Sequence, residues 1–465
     1  MENTREIVLD TLLVLERGEE FSHRLLKAVL DKYDYLDGRD KAFIKRVTEG
    51  TLERQLELDY YLDAFSSVPV RKMKPFIRCL LRMSVYQILY MDSVPDSAAC
   101  NEACKLADKR KFHNLKGFVN GVLRKIAKNK AELPMPDKEK DFSGYLSVKY
   151  SMPLWLTQRF LEEYGETVTV KLLEGLMQVH PVSLRFDSRL SEAERETYVR
   201  QIRNAGGKIS QSEYLPYVYT VQNTEGIGEL PGFEDGVFTV QDVSSGLAVE
   251  AAGIGRQDFV MDICAAPGGK SILAAEKAEC VLSRDVSENK AALIEENLSR
   301  MNVENAKVQV QDATVFDETY REKADVVLMD VPCSGLGIIG KKRDIKYHVT
   351  PESLKEITQL QRSIVENSWQ YVKPGGVLLY STCTVNPEEN EKMVQWIAEH
   401  LPFEPESLEN CIPKNLWKQR EELRQSANQQ AVQNLSDGEK ACCIQLLPGY
   451  MQADGFFFAK FRRVR

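Results

Sequence analysis

One short stretch, residues 262–270, constrains the fold of this 465-residue chain more than any other feature. It reads Asp-Ile-Cys-Ala-Ala-Pro-Gly-Gly-Lys. Residues 259–263 are apolar except for Asp262 and predict a short buried strand, and residues 271–277 predict the start of a helix. The proline and the two adjacent glycines between them predict a tight turn. Because a strand, a glycine turn and a helix N-terminus expose free backbone N–H groups, the stretch predicts a site for a nucleotide-like ligand.

Three kinds of ligand compete for such a turn. A phosphate-binding loop needs G-x-x-x-x-G-K-[ST]; residues 269–271 match its end, but Cys264 occupies the position of its first glycine. A dinucleotide turn needs G-x-G-x-x-G, which two adjacent glycines do not supply, so a nucleotide-dependent oxidoreductase is disfavoured. What remains is a turn against which the amino-acid and ribose portions of a ligand can lie. S-adenosylmethionine (SAM) fits that description.

The surrounding chain alternates between strand and helix patterns from about residue 237, which predicts a doubly wound, mainly parallel α/β sheet of the Rossmann-like type. The predicted strands cover residues 259–264, 280–284, 307–311, 325–329 and 377–381. The clearest helices cover residues 287–301, 353–371 and 388–398. Residues 410–440 are polar and predict a surface insertion, and residues 443–460 predict a hairpin at the sheet edge.

The chain before this sheet divides into three parts, so we expect a multidomain protein. Residues 1–130 carry apolar residues at helical spacing and predict an all-α domain. Residues 131–143 are polar with two prolines and predict a linker. Residues 144–236 predict a small α+β module, with a helix over 145–163, strands near 181–186, 217–221 and 236–241, and a helix over 191–205. The α/β domain then covers residues 237–465.

Composition excludes several classes of protein. The ten cysteines include no C-x-x-C pair, which disfavours a disulfide framework or a zinc ribbon and favours reduced thiols in the cytoplasm. We find no secretory signal and no apolar run of membrane-spanning length. The net charge of −8 excludes a general polyanion binder, so any nucleic-acid surface must be local.

Such a local surface is predicted in the helical domain. Residues 1–130 contain 24 Lys and Arg against 19 Asp and Glu, and the excess is concentrated in residues 105–130, where Asp108 is the only acidic residue. Two interpretations stay open: an RNA-phosphate surface, or simply a solvated helix face.

Acidic residues end the second and third predicted strands of the sheet. Asp285 follows the second strand, where a carboxylate can bind both ribose hydroxyls, and Asp312 follows the third, within reach of an adenine amino group. Either acid alone could be a helix N-cap. Two in sequence after the glycine turn favour an adenosyl ligand.

The fourth and fifth strands end in cysteine motifs. Asp330 and Cys333 follow the fourth strand, and Cys383 follows the fifth. Cysteines are often inert packing residues, but these two fall at the edge of the sheet where the ligand must lie. Cytosine C5 is a poor nucleophile until a thiolate adds to C6, and a second group must later remove the C5 proton. Two thiols and one Asp meet that need, whereas the lack of a nearby His disfavours a metal.

Taken together, these motifs resemble the RNA 5-methylcytosine methyltransferases. The order is C-A-A-P-G-G-K, D-V-S, Q-D-A, D-V-P-C-S-G-L-G and Y-S-T-C-T-V-N-P-E-E-N. The start of the chain resembles the RNA-binding antitermination factor NusB, through D-K-A-F at residue 40, G-T-L at residue 50 and G-F-V-N-G-V-L-R at residue 117. A NusB-like domain joined to this catalytic core resembles the small-subunit ribosomal RNA methyltransferase B (Sun) family, over nearly the whole chain.

The resemblance implies a role for each motif. It implies a SAM-dependent enzyme that methylates C5 of a cytosine in 16S rRNA, usually cytosine 967. We also expect a monomer that acts away from any membrane. The resemblance also implies an RNA-binding role for the 144–236 module. The implied nucleophile is Cys383, and Cys333 is the residue implied to assist release of the methylated base. Asp330 is expected to lie beside the base. The implied SAM contacts are Cys264, Ala265, Ala266, Pro267, Gly268, Gly269, Lys270, Asp285, Asp312 and Asp330.

Some alternatives stay open at this stage. Spacing alone does not say which cysteine attacks, since DNA cytosine methyltransferases use a Pro-Cys thiolate, which would be Cys333. A non-catalytic RNA-binding factor with a vestigial cofactor domain is disfavoured by the intact cysteines and glycine turn. The loop 340–346 lacks the arginine pair and proline of many relatives. Because we expect this loop to contact RNA, another rRNA or tRNA site stays possible.

Overall fold

The computed structural model describes residues 3–18, 20–178, 181–224, 226–426 and 430–464. The chain forms two compact units, one of Met1–Glu162 with Lys341–His348 and one of Glu163–Gly340 with Val349–Arg465. The predicted linker at 131–143 lies inside the first unit, and position 237, the predicted start of the α/β domain, lies inside the second. The predicted four-part division therefore stays a prediction.

The N-terminal part of the first unit is helical, which confirms the predicted all-α domain. Its helices are α1 (Thr4–Leu15), α2 (Ser22–Lys32), α3 (Gly38–Glu53), α4 (Gln55–Phe65), α5 (Pro75–Tyr90), α6 (Asp96–Lys109), α7 (Lys116–Asn129) and α8 (Phe142–Lys149). Helix α5 is buried on nearly every face, and a single apolar cluster surrounds it. Pro75 lies in its first turn, where the missing N–H leaves no hydrogen bond unmade.

The helix predicted over residues 145–163 is two helices. Helix α8 ends at Lys149, and α9 (Leu154–Met177) begins after Pro153. Ser151 adopts a left-handed φ of 48°, and a proline disfavours helical backbone in the residue before it. A second break lies within α9 at Gly165, where φ is 74°.

A small antiparallel sheet opens the described part of the second unit beyond α9. Its elements are β1 (Val182–Phe186), α10 (Glu192–Asn204), β2 (Lys208–Gln211), β3 (Val218–Gln222) and β4 (Phe238–Val240). The strand order is β2-β3-β1-β4. Ser191 and Glu194 form a capping box at the start of α10, as the predicted helix start requires. Strand β2 was not predicted, because it buries only Ile209 and shows no alternation.

The main sheet has eight strands in a mixed arrangement. Its strands are β5 (Phe259–Asp262), β6 (Cys280–Asp285), β7 (Ala306–Val310), β8 (Ala324–Asp330), β9 (Val372–Thr382), β10 (Phe403–Pro405), β11 (Cys443–Leu446) and β12 (Phe456–Arg463). The order is β10-β12-β9-β8-β5-β6-β7, and β11 also pairs with β12. Strands β5 to β9 are parallel, and β12 is antiparallel to β9. The Rossmann-like prediction and the C-terminal hairpin are confirmed.

The order of the parallel strands reverses at β5, whose neighbours β6 and β8 lead the chain away in opposite directions. Ligands bind at such a point, beyond the carboxyl ends of the strands. The helices that follow β4 along the chain are α11 (Val243–Ala252), α12 (Gly269–Ala275), α13 (Glu288–Arg300), α14 (Ile345–His348), α15 (Pro351–Ser368), α16 (Glu391–His400), α17 (Lys414–Ser426), α18 (Gln430–Gln433) and α19 (Asp437–Cys442).

The region 410–440 is more than the surface insertion that its polar composition predicts. Leu416 and Leu423 of α17 are buried, and Arg420 is 2% exposed. The Arg420 guanidinium donates to the carbonyl of Cys443 on β11. Part of the prediction falls on residues 427–429, which lie outside the described residues. In the described part of the chain, no helix combines the length and the hydropathy of a membrane span.

Segment 341–348, which includes α14, belongs to the first unit. Arg343 forms ion pairs with Glu49 and Glu53 of α3, at 2.9 and 3.2 Å. The Lys346 ammonium is buried and donates to the carbonyl oxygen of Glu53. This burial lowers the pKa of Lys346 to about 7. Two cations of the loop expected to contact RNA are therefore engaged with protein groups.

Candidate active site

A cavity of about 300 Å³ lies beyond the carboxyl ends of β5, β6, β7 and β8. It brings together most of the residues singled out in the sequence. The predicted residues that line it are Cys264, Ala266, Asp285, Asp312, Asp330, Cys333 and Cys383. These residues are spread over more than a hundred positions of the chain. The parallel sheet brings them to one edge, because the carboxyl ends of its strands meet there.

The glycine turn forms one wall of this region. Gly268 has a φ of 101°, which favours glycine, and a Cβ there would lie 3.3 Å from Ile294 Cγ2. Gly269 begins α12, and a Cβ there would lie 3.3 Å from the side-chain amide of Gln241. Both glycines therefore let the turn pack closely against neighbouring side chains. Of the two cavities that border the turn, Gly269 lines the smaller one and Gly268 lines neither.

Asp285 anchors the turn from the end of β6. One of its carboxylate oxygens accepts from the Ala266 N–H at 3.0 Å. The other accepts from the Val286 N–H and pairs with Lys290 Nζ at 2.9 Å. Asp285 is 4% exposed, so its carboxylate is fixed at the cavity wall.

Asp312 follows the end of β7 and is exposed, and one of its carboxylate oxygens bonds to the same loop. Its Oδ1 atom accepts from both the N–H and the hydroxyl of Thr314, and these bonds lower its pKa. No helix begins at this position, so Asp312 closes an Asx turn with Thr314 and is not a helix N-cap. Within the described part of the chain the Oδ2 atom has no hydrogen-bond partner, and a ligand can use it.

Lys270 and Asp330 form an ion pair beside the turn. Lys270 Nζ lies 2.7 Å from Asp330 Oδ2, and it also donates to Ser245 Oγ at 2.9 Å. The Ser381 hydroxyl donates to the other Asp330 oxygen at 2.8 Å. Lys270 is 9% exposed and packs over the ring of Phe456. The Asp330 carboxylate is thus held in one orientation at the end of β8.

The two cysteine motifs meet next to this carboxylate. Strands β8 and β9 are adjacent and parallel, with Asp330 paired in register with Ser381. The chain beyond each strand end then brings Cys333 Sγ to 3.0 Å from Cys383 Sγ. The Cys383 N–H also donates to Cys333 Sγ at 3.2 Å. The hydrogen bond between the thiols, together with burial, raises the pKa of Cys333 well above its ordinary value.

A buried carboxylate that we did not single out in the sequence holds the two loops together. Glu389 is fully buried and accepts four hydrogen bonds. The donors are Ser334 N–H, Ser334 Oγ, Gln361 Nε2 and Asn386 Nδ2, at 2.6 to 2.9 Å. Ser334 follows Cys333, and Asn386 lies in the loop of Cys383. The run Asn-Pro-Glu-Glu-Asn after Cys383 was a signal, although it does not show which Glu is buried.

A third thiol lines the cavity but is held in its protonated form. Burial, followed by the charge of Asp285, raises the pKa of Cys264 far above its ordinary value. Cys264 is therefore a poor nucleophile in this protonated form.

A second, smaller cavity of about 190 Å³ lies on the other side of the turn. Among its lining residues are Ala265, Pro267, Gly269, Lys270 and two residues that sequence reasoning missed, Gln241 and Asp262. Asp262 is fully buried, and burial raises its pKa to about 7. Its Oδ2 atom accepts from Ser271 Oγ at 2.7 Å, whereas its Oδ1 atom has no partner among the described residues. An unpartnered buried carboxylate oxygen requires a donor, which a ligand can provide.

The basic stretch 105–130 is less available than its sequence indicates. Four of its lysines form ion pairs with acids: Lys105 with Glu102, Lys109 with Glu6, Lys116 with Asp108, and Lys130 with Asp96. Arg110 pairs with Glu6 and Asp10. Arg124, Lys125 and Lys128 of α7 are exposed, and the part of the chain that the structure describes places no acidic partner on them. We call these three residues the α7 basic face.

The described residues contain no cluster of three or more His, Cys, Asp or Glu side chains suited to a metal.

Known proteins resemble this chain along its whole length. Residues 254–462 match the family model of the 16S rRNA methyltransferase RsmB/F, and residues 2–128 match that of the NusB family. The chain is 32% identical to the "Probable ribosomal RNA small subunit methyltransferase B" of Bacillus subtilis (strain 168), over 99% of each chain. It is 29% identical to the ribosomal RNA small subunit methyltransferase B of Cronobacter sakazakii, over 96% of this chain and 95% of that protein.

Solved structures show the same fold. The crystal structure of PH0851 matches with a TM-score of 0.76 over 99% of both chains, at 23% identity. NSun6 from Pyrococcus horikoshii, solved with SFG, matches with a TM-score of 0.52 at 20% identity, over 66% of this chain and 97% of that chain. With the full-length relatives and the two family models, these findings establish that the chain belongs to the ribosomal RNA small subunit methyltransferase B family.

Proposed function

We propose that this protein uses SAM to methylate C5 of a cytosine in 16S rRNA, cytosine 967 being the expected target. The observation that carries the proposal is the pair of thiols 3.0 Å apart, Cys333 and Cys383, beside the Asp330 carboxylate. Two thiols and an acid at one point are what C5 methylation requires, because C5 becomes nucleophilic only after a thiolate adds to C6.

The residues of the two cavities fit SAM as the methyl donor. Asp285 and the free Oδ2 atom of Asp312 can bind the adenosine portion, which carries hydroxyl and amino donors. Gly269 lines the smaller cavity and has no side chain, so a ligand can approach the backbone there. The unpartnered Asp262 oxygen suits the positively charged amino group of SAM. When bound, SAM supplies the methyl group that C5 receives.

In the first step, Cys383 Sγ forms a bond to C6 and the C5–C6 π electrons move toward C5. Asp330, held by Lys270 and Ser381, can hydrogen-bond the base and so stabilise the adduct. After methylation, loss of the C5 proton restores the C5–C6 double bond and breaks the bond between sulfur and C6.

The protonation of the two thiols supports this division of roles. Cys333 keeps its proton, because the hydrogen bond with Cys383 and burial raise its pKa. It can therefore donate to a Cys383 thiolate 3.0 Å away and stabilise it. At the elimination step, Cys333 can take up the C5 proton while it passes its own proton to the departing Cys383 thiolate. Both thiols are then protonated, and the one proton that the reaction releases leaves when the Cys383 thiolate forms again.

The RNA partner is expected to contact the α7 basic face. Arg124, Lys125 and Lys128 are exposed on one helix, whereas neighbouring cations are paired with acids. Unpaired surface cations bind phosphates with the release of counterions. We extend this expectation to the 144–236 module as a further RNA contact. A 16S rRNA substrate also implies that the enzyme acts in the cytoplasm, and we expect a monomer.

The test is methylation of unmodified 16S rRNA by the purified protein with isotopically labelled SAM. Nucleoside mass spectrometry should find the label in 5-methylcytidine, and mapping should place it at one cytosine. Label on a ring nitrogen, on ribose or on another base would contradict the proposal. Two control reactions should give no labelled nucleoside: one without SAM and one with the Cys383→Ala variant.

A further inference from the structure

We propose that Gln241 donates a hydrogen bond to the α-carboxylate of SAM, and that Arg185, from the small antiparallel sheet, positions Gln241 for this contact. The proposal rests on the proposed function, since it assumes that SAM is the cofactor. It assigns a cofactor-binding role to a side chain outside the glycine turn and the strand-end acids, and a supporting role to β1.

The orientation of the Gln241 amide follows from its neighbour. Arg185 is fully buried, and its Nε donates to Gln241 Oε1. Because a guanidinium has only donors, the amide oxygen must face Arg185, and the NH₂ group must face away from it. Arg185 is itself fixed by an ion pair with Glu276 at 2.5 Å, in which both side chains are buried.

The NH₂ group faces the glycine turn. Gln241 Nε2 lies 3.3 Å from the position that a Cβ on Gly269 would take. Gln241 lines the smaller cavity with Lys270 and Asp262, and Nε2 has no hydrogen-bond partner among the residues that the structure describes. Two unused N–H donors are thus aimed at the N-terminus of α12.

The chemistry of this cavity matches the amino-acid end of SAM. The cavity pairs a donor, Gln241, with a buried carboxylate oxygen of Asp262 that lacks a partner. An α-amino acid carries an acceptor and a cationic donor on one carbon, and the cation offsets the buried charge of Asp262. A cytosine base also offers a donor and an acceptor, but it is neutral and adds no positive charge beside the buried Asp262 oxygen.

The two cavities are also suited to a single extended ligand. They share Cys264, Ala266 and Asp330, so they lie on either side of the same turn. The larger one carries Asp285 and Asp312, which suit adenosine. The smaller one is then left for the amino-acid portion.

The test compares two ligands by calorimetry on the full-length protein. S-adenosylhomocysteine contains the amino-acid portion, whereas 5′-methylthioadenosine lacks it. Gln241→Glu keeps the side-chain shape and an acceptor for Arg185, but it directs an anionic oxygen at the ligand carboxylate. We expect S-adenosylhomocysteine affinity to fall roughly 10- to 100-fold and 5′-methylthioadenosine affinity to stay within about twofold. Gln222→Glu makes the same change at the exposed end of β3 and should alter neither.

The outcomes separate this proposal from the proposed function. If the natural protein binds neither ligand, SAM use itself is wrong. If it binds both, and Gln241→Glu weakens them equally or weakens only RNA, Gln241 does not contact the α-carboxylate. For Arg185, Arg185→Lys should weaken S-adenosylhomocysteine binding but add nothing in the Gln241→Glu background. Additive losses would show that Arg185 does not act through Gln241. If thermal melting shows that Arg185→Lys is unfolded, Gln241→Glu still decides the contact.

Discussion

Cys333 Sγ and Cys383 Sγ lie 3.0 Å apart, although fifty positions of chain separate the two residues. The pair lies where adjacent parallel strands end, and the Asp330 carboxylate lies beside it. At this distance one thiol can hold a proton for the other. Both sulfurs can therefore reach the same cytosine base, and the distance alone does not show which of them attacks C6.

Replacing each cysteine should separate addition from release. If Cys383 attacks, Cys383→Ala should give neither methylated product nor a protein–RNA adduct. Cys333→Ala should still add to C6 and accept the methyl group but stall before losing the C5 proton. It should therefore accumulate a SAM-dependent covalent complex, seen as a shifted band on a denaturing gel. Adduct in Cys383→Ala with none in Cys333→Ala would exchange the two roles.

Glu389→Gln should disturb the site without touching either sulfur. Glu389 accepts bonds from Ser334 and Asn386, which lie in the two cysteine loops. An amide NH₂ would face these donors and leave buried N–H groups unpaired, at about 1–3 kcal/mol each. Chemical unfolding should show that loss of stability, and methylation should fall at least tenfold. Glu388→Gln changes the adjacent, half-exposed residue and should leave both unchanged; equal effects would remove the special role of Glu389.

Gly268→Val should impair SAM binding, because a side chain would enter the space beside Ile294 and the φ of 101° is strained for Val. Asp285→Ala should also weaken binding, by removing the acceptor that holds Ala266. We expect at least a tenfold loss of affinity by calorimetry in both. Gly206→Val is the control, since Gly206 has a φ of 91° but nothing within 4 Å of its Cβ position. Full affinity in both turn variants would place SAM elsewhere.

Binding of S-adenosylhomocysteine should release a proton below pH 7. Burial raises the pKa of Asp262 to about 7, so at pH 6 the free protein holds this carboxyl largely protonated. A ligand ammonium favours the carboxylate and lowers that pKa, so affinity should rise with pH and level off above about 7. Calorimetry in buffers of different ionisation enthalpy should show up to about one proton released. Asp262→Asn should release none, and unchanged release in that variant would assign the proton to another group.

The α7 basic face should account for part of the salt dependence of RNA binding. Replacing Arg124, Lys125 and Lys128 with Gln should flatten the plot of log affinity against log salt by roughly two to three units, since each lost phosphate contact removes about 0.7–0.9. The control replaces Lys105, Lys109 and Lys116, whose ammonium groups pair with acids of the same domain. A flatter slope only in the control would reverse the assignment.

The sequence alone determined the local parts of this protein. The glycine turn at 262–270, the acids Asp285 and Asp312, and the cysteines 333 and 383 all follow from strand ends that a parallel sheet collects at one edge. Helix periodicity likewise determined the N-terminal domain. The prediction of a single helix over 145–163 is wrong, because Pro153 and the left-handed Ser151 interrupt it. The spacing of apolar residues does not reveal such a break.

Only the tertiary structure decided which distant groups meet. It buried Glu389 beneath the cysteine loops, directed the Gln241 amide with Arg185, and left an Asp262 oxygen without a partner. It also paired Lys109 with Glu6, a hundred residues earlier, and so reduced a basic stretch to a small face. Hydrogen bonds and ion pairs act over a few ångströms. Which groups come that close depends on the packing of strands and helices, which no spacing along the chain specifies.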